Sequence, residues 1–127
     1  MKTILAIVAF ALTFTLTGQA QDHMKTKVTT VSLEQTKGAF TEKSVTLKEG
    51  DYIFEISNNN VGHQVGFVLV PKGKDASKPE NHIKTAYVTK AVDNNTKASS
   101  NVTALTKGEY VYFCPLNPTP QYTLTVE

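Results

Sequence analysis

From residue 28 onward the chain changes polarity with a period of two, and that rhythm limits its folds more than any other feature. Val28, Thr30 and Ser32 alternate with Thr29, Val31 and Leu33. Val45 and Leu47 alternate with polar neighbours, and Tyr52, Phe54 and Ile56 alternate with Ile53 and Glu55. Val65, Phe67 and Leu69 alternate with Gly66, Val68 and Val70; then come Val102 to Leu105, Tyr110 to Cys114 and Tyr122 to Val126. A period of two places successive side chains on opposite faces of a strand, and β-branched and aromatic residues suit that pleated surface. The runs are separated by the turn signals "TKG", "KEGD", "NNNVG", "PKGK" and "TKGE". The pattern predicts an all-β Greek-key sandwich or barrel of seven to eight strands. One segment departs from it. Ser77-Lys78-Pro79-Glu80 has the form of a capping box with proline in the first turn, and Ile83, Ala86, Tyr87 and Val88 follow at helical spacing. This predicts one short helix over residues 78–90, followed by a polar loop from Asp93 to Ser100. No internal repeat or linker interrupts the pattern, so a single domain is expected.

The first twenty residues read differently. Lys2 supplies a positive charge, Ile4 to Leu16 is apolar apart from Thr13 and Thr15, and small residues stand at Gly18 and Ala20. These are the parts of a secretory signal peptide over 1–20 with cleavage after Ala20, leaving a domain over 21–127. The apolar run is shorter than the roughly 20 residues that span a bilayer, so no membrane association is expected once it is removed. The expected location is periplasmic or secreted.

Composition removes several function classes. Leaving Lys2 aside, twelve lysines face eleven carboxylates, and arginine is absent. Without a basic face or guanidinium groups, nucleic acid is not an expected partner. The sequence has no Gly-rich phosphate loop, paired-carboxylate motif or Ser/His/Asp pattern, and an enzyme is not expected. A Cys–His nucleophile pair finds no support, because nothing suggests an oxyanion hole or substrate cleft. One cysteine, Cys114, cannot form an internal disulfide, so stability rests on the core although an oxidising compartment would allow bridges.

That thiol stands where an aromatic strand meets a proline-rich loop. Of the three histidines, His63 falls in the turn between two predicted strands, His82 on the candidate helix and His23 near the expected mature terminus. His63 and Cys114 both occupy strand ends, and an imidazole with a thiolate suits copper or zinc. Taken singly, a buried cysteine is more often a small hydrophobe, and a histidine in a turn or on a helix is more often solvated.

Two longer stretches, "FTEKSVTLKEGDYIFEISNNNVGHQVGF" and "LTKGEYVYFCP…YTLTV", resemble in composition and order the cupredoxins, the family of small blue-copper proteins. The resemblance covers most of residues 33–126. It implies a mononuclear copper site at one end of the sandwich, with His63 as the first ligand, Cys114 as the thiolate and the Gly62 carbonyl near the metal. It further implies a role as a redox carrier or as a copper store or chaperone, with a redox or copper-transfer protein as partner. Gly38 and Phe40 would help form an apolar docking face near the copper, although an aromatic in a turn is more often packing.

The loop after Cys114 departs from the family pattern. It reads Pro115-Leu116-Asn117-Pro118-Thr119-Pro120-Gln121 and contains neither the second His nor the Met. Asn117 stands where the family often has its second His, and Gln121 stands near the axial position. Their carbonyl oxygens are harder and weaker copper donors than imidazole or thioether. The ligand set implied is therefore His63, Cys114, Gln121 and Asn117, a degenerate site suited to Cu(I). The alternative is a metal-free module of the same fold with a binding or structural role. A separate expectation concerns Gln21-Asp22-His23, whose free amine, amides and imidazole would bind Cu(II) or Ni(II) in a square plane if the terminus does not cyclise.

Overall fold

The computed structural model describes residues 27–127, and among them nine strands form two sheets: β1 (Val28–Thr36), β2 (Ala39–Phe40), β3 (Ser44–Leu47), β4 (Gly50–Asn58), β5 (Val68–Pro71), β6 (Lys97–Ser99), β7 (Thr103–Leu105), β8 (Gly108–Phe113) and β9 (Tyr122–Val126). The first sheet runs β2-β1-β4-β6 with β7 also on β4, and the second runs β3-β9-β8-β5. The expected β-sandwich is present. The strands beyond the seven or eight expected are short ones, such as two-residue β2 and three-residue β6. β6 lies inside the segment expected to be a polar loop, because Ala98 pairs with Ile56 and turns its methyl into the core. Residues 1–20, expected to be a signal peptide, and Gln21-Asp22-His23 lie outside the described residues.

The two-residue rhythm sets the core. In β4, Tyr52, Phe54, Ile56 and Asn58 point inward, and in β8 Tyr110 and Tyr112 do. Burying side chains of this size contributes about 2–3 kcal/mol each. Phe40 packs edge-on against Tyr112 with centroids 5.1 Å apart, and Phe54 lies 5.1 Å from Phe67. Phe40 is fully buried in this cluster, the packing role more usual for an aromatic in a turn, and is not available to a docking face.

Register brings one set of strand ends together. β1 and β4 pair in parallel as far as Gln35 with Asn58, while Val68 faces Phe113 and Tyr112 faces Tyr122 in the other sheet. The β1–β2 turn, the β4–β5 connection and the β8–β9 loop therefore share one end of the sandwich.

The expected helix over 78–90 is replaced by two short 3₁₀ turns, Pro79–Asn81 and Lys84–Ala86. Ser77 does not cap a helix: its hydroxyl and amide both donate to the Asp75 carboxylate, at 2.7 and 3.0 Å. His82 is extended at ψ 141°, and the next amide, Ile83, donates to Leu69 of β5 instead of continuing the turn. Thr85, Val88 and Thr89 are β-branched and lose rotamer freedom in a helix, and Val88 forms a β-bridge to Ser100. The apolar spacing at Ile83 and Ala86 reflects docking onto the sheet. No helix among the described residues is long and apolar enough to cross a membrane.

Tyr112 closes the core, donating its hydroxyl to the Glu42 carbonyl at 2.8 Å. Burial first, then the Glu42 carboxylate and Tyr122, push its ionisation up to about 12. The unfolded chain ionises this group near pH 10 and the folded chain does not, so its contribution is complete below pH 10 and is lost as pH rises toward 12. Denaturant unfolding between pH 9 and 12 should show wild-type stability falling by up to about 1.4 kcal/mol per pH unit more steeply than that of Tyr112→Phe. Parallel curves for the two proteins would refute this assignment.

Candidate metal centre

Cys114 follows directly from the phase of β8. Tyr110 and Tyr112 point inward, so a residue two further on does too, and Cys114 is 2% exposed. Pro115 has no N–H to offer a neighbouring strand, and the chain turns back after it. The turn is held from inside: the Cys114 amide donates to Thr119 Oγ1 at 3.1 Å, and the Asn117 amide donates to Cys114 Sγ at 3.1 Å. A second amide, that of Gly66 in the β4–β5 connection, reaches the same sulfur at 3.2 Å. Two N–H groups from different loops thus converge on one soft donor atom.

Asn117 is 1% exposed and its side chain is engaged on both ends. Its Oδ1 accepts from the Gly38 amide at 2.7 Å, and its Nδ2 donates to Gln35 Oε1 at 3.1 Å and to the Thr36 carbonyl at 2.9 Å. Gln35, fully buried at the end of β1, donates its Nε2 to the Gly66 carbonyl at 2.7 Å. Gly38 sits at φ +76°, the left-handed region that glycine enters without strain, and this turns its amide toward Asn117. The structure therefore brings Asn117 to Cys114 through its backbone, while its amide side chain faces the β1–β2 turn.

The His63 turn is pinned by asparagines. Asn58 accepts from the Val61 amide at 3.1 Å and donates to the His63 carbonyl at 2.8 Å and the Val92 carbonyl at 3.0 Å. Across from it, Asn95 Oδ1 takes the Asn60 amide, Asn94 Oδ1 takes the Gly62 amide, both at 2.8 Å, and Asp93 accepts from Gln64 Nε2 at 2.6 Å. His63 itself is exposed, with Nδ1 2.9 Å from the Gln64 carbonyl. A carbonyl only accepts, so Nδ1 is the donor of this bond. Histidines that ligate metals commonly donate their other ring N–H to a backbone carbonyl in this way.

Gln121 is exposed, just before β9 at this same end. His82, expected as a solvated helix residue, is half-buried, with Nε2 2.7 Å from the Ala76 carbonyl and Nδ1 2.6 Å from the Tyr87 hydroxyl. Both its nitrogens are occupied. It borders a shallow apolar concavity of about 360 Å³, shared with Val65, Tyr87, Pro115 and half-exposed Leu116. Among the described residues, no three His, Cys, Asp or Glu side chains cluster as a metal-binding group. Gln35 and Gly66 were missed in the sequence. The only signal for Gln35 was a polar residue two places after Leu33, in the inward phase of its strand.

The sequence profile of a family described as "Cupredoxin-like domain" matches residues 4–126. No curated protein sequence matches the chain. Among solved structures, auracyanin B is similar with 24% identity and a TM-score of 0.63, over 78% of this chain and 88% of that one. Auracyanin A, a "blue" copper protein from the green thermophilic photosynthetic bacterium Chloroflexus aurantiacus, is similar with 20% identity and a TM-score of 0.63, over 80% of this chain and 100% of that one. Dithionite-reduced auracyanin from Roseiflexus castenholzii follows with 19% identity and a TM-score of 0.60, over 77% and 96%. At these identities the likenesses show the fold.

Asn58 sets the geometry of the His63 turn, and removing it strands the buried Val61 amide and takes a donor from two carbonyls, those of His63 and Val92. Asn58→Ala should lower the unfolding free energy by about 2–3 kcal/mol and speed exchange at the Val61 amide. A loss below about 0.5 kcal/mol in chemical denaturation would show that the turn holds without it.

Proposed function

The chain belongs to the cupredoxin-like family, and from that premise we propose that it is an exported copper-binding protein, holding Cu(I) between Cys114 and His63 for storage, hand-over or electron transfer. One observation carries the reading: Cys114 Sγ receives two backbone N–H bonds while His63 commits Nδ1 to a carbonyl and turns its imidazole out on an exposed turn. The donor set fits a soft monovalent ion, which is content with few ligands, better than a blue site built on two imidazoles. Bound copper would supply a soft cation for delivery or one-electron exchange.

The residues divide the work. Cys114 offers the soft donor from a buried position, and the N–H groups of Gly66 and Asn117 fix that sulfur in place. His63 offers its imidazole from the exposed turn, where an incoming ion or partner protein reaches it first. Gln121, exposed at the same end, is the candidate for a further weak oxygen donor. The side chain of Asn117, bound to Gly38, Gln35 and Thr36, serves the frame of the site in preference to the metal. That same engagement favours the second reading, a metal-free module of cupredoxin fold, because it leaves only the weak oxygen of Gln121 as a third donor.

Anaerobic titration of the mature protein with Cu(I) against bicinchoninate separates the two. One equivalent should bind to the wild type, disappear in Cys114→Ser and weaken at least about 10-fold in His63→Ala. Absence of binding to the wild type would establish the metal-free reading. With Cu(II), the wild type should lack the intense visible band of a blue site, since a single imidazole cannot complete that plane. A full blue spectrum would overturn the proposed ligand set.

A further inference from the structure

We infer that Gln35 and Asn117 form a brace of two buried side-chain amides whose role is to hold both N–H donors on Cys114 Sγ, making them positioning residues of the thiol centre. The inference deepens the copper reading in one arm of its test and stands apart from it in the other. Both side chains are almost completely shielded, at 0% and 1% exposure, where an amide is costly unless its hydrogen bonds are made. Every bond recorded for these side chains ends at this end of the sandwich, on the last residues of β1, the β1–β2 turn, the β4–β5 connection or the β8–β9 loop. Gln35 Nε2 grips the carbonyl of Gly66, the residue whose own amide points at the sulfur. Asn117 anchors its side chain to the Gly38 amide and the Thr36 carbonyl, and its own amide points at the same sulfur. The Asn117 Nδ2 to Gln35 Oε1 bond ties these halves together. The sulfur therefore sits between two donors whose positions are set by one shared contact and not by the strands alone.

A role confined to filling the interior would require only that the two amides be satisfied. It would not require the bonds to anchor the same two residues, Gly66 and Asn117, whose amides address Sγ. The brace also gives the residue three places after the cysteine a task in which an imidazole could not replace it, since one ring cannot accept from Gly38 while donating to both Thr36 and Gln35.

The experiment uses Gln35→Met, which keeps length and removes both polar ends, with Val126→Ala as the control. Val126 is buried at the opposite end of β9, so its truncation loosens the core without touching the site. Two quantities are measured: Cu(I) affinity against bicinchoninate, and the rate at which iodoacetamide alkylates Cys114 in the metal-free protein. Gln35→Met should lower the affinity about 10- to 100-fold, as loss of outer-shell partners does, and accelerate alkylation at least about 10-fold. Val126→Ala should change neither quantity to that extent. If Gln35→Met behaves as Val126→Ala does in both assays, the inference is overturned. Should Gln35→Met fail to fold, Asn117→Ser, too short to reach Gln35 while keeping an oxygen, is read against the same control with the same two outcomes. A wild type that takes up no Cu(I) but still shows the alkylation difference would remove the copper reading and leave the brace in place.

Discussion

An amide moved from water into a protein interior costs several kcal/mol unless its donors and acceptor are matched, and two such groups meet at the Cys114 end of this sandwich. Gln35 and Asn117 solve that problem jointly, each satisfying part of the other's requirement and both closing on backbone groups of the surrounding loops. The consequence reaches beyond the pair. The β1–β2 turn, the β4–β5 connection and the β8–β9 loop are far apart in sequence, and an entropy cost opposes ordering each of them. Through these two side chains the three segments are fixed to one another.

The strands supply what the amides depend on. Parallel pairing of β1 with β4 brings Gln35 level with Asn58, so the brace and the pinned His63 turn start from neighbouring positions on one sheet. Antiparallel pairing of β8 with β5 and β9 brings Cys114 to the same end from the other sheet. Beneath both lies the aromatic cluster of Phe40, Phe54, Phe67, Tyr112 and Tyr122, which closes the interior to water. Excluding water is what gives the buried N–H groups their directional effect on the sulfur.

Much of the fold was legible because alternation is a local property. The inward phase of β4 and β8 can be read from consecutive residues, and it places Cys114 at a strand end facing in. The segment at 78–90 was misread because its Ser-Lys-Pro-Glu motif is compatible with two structures. Asp75, two residues before the serine, took the hydroxyl and amide that a helix cap would have used. β6 was missed for a related reason, since a three-residue strand with one inward alanine gives hardly any periodic signal. The site was legible in part. Cys114 and His63 could be picked out by residue type and position, while the partners of Asn117 depend on register: Gly38 lies 79 positions away and Gln35 lies 82. Nothing local to the loop distinguishes an asparagine that faces a metal from one that closes a brace.

The asymmetry between the two proposed donors bears on the kind of copper chemistry this end can support. Cys114 is buried and fixed by donors from both sides, whereas His63 stands on an exposed turn with one nitrogen committed and the other open. Rapid electron exchange favours a ligand set that keeps one geometry in both oxidation states, which requires several strong donors held rigidly. A single rigid thiolate with one accessible imidazole holds less of the coordination sphere, and it leaves positions where a donor from another protein can enter before the first bonds break. Ligand exchange of that kind lowers the barrier to transferring a soft monovalent ion without releasing it to water. Within the proposed copper reading, the geometry therefore favours storage or hand-over above repeated redox cycling, and the preset sulfur is the part of the site that remains in place while the ion arrives and leaves.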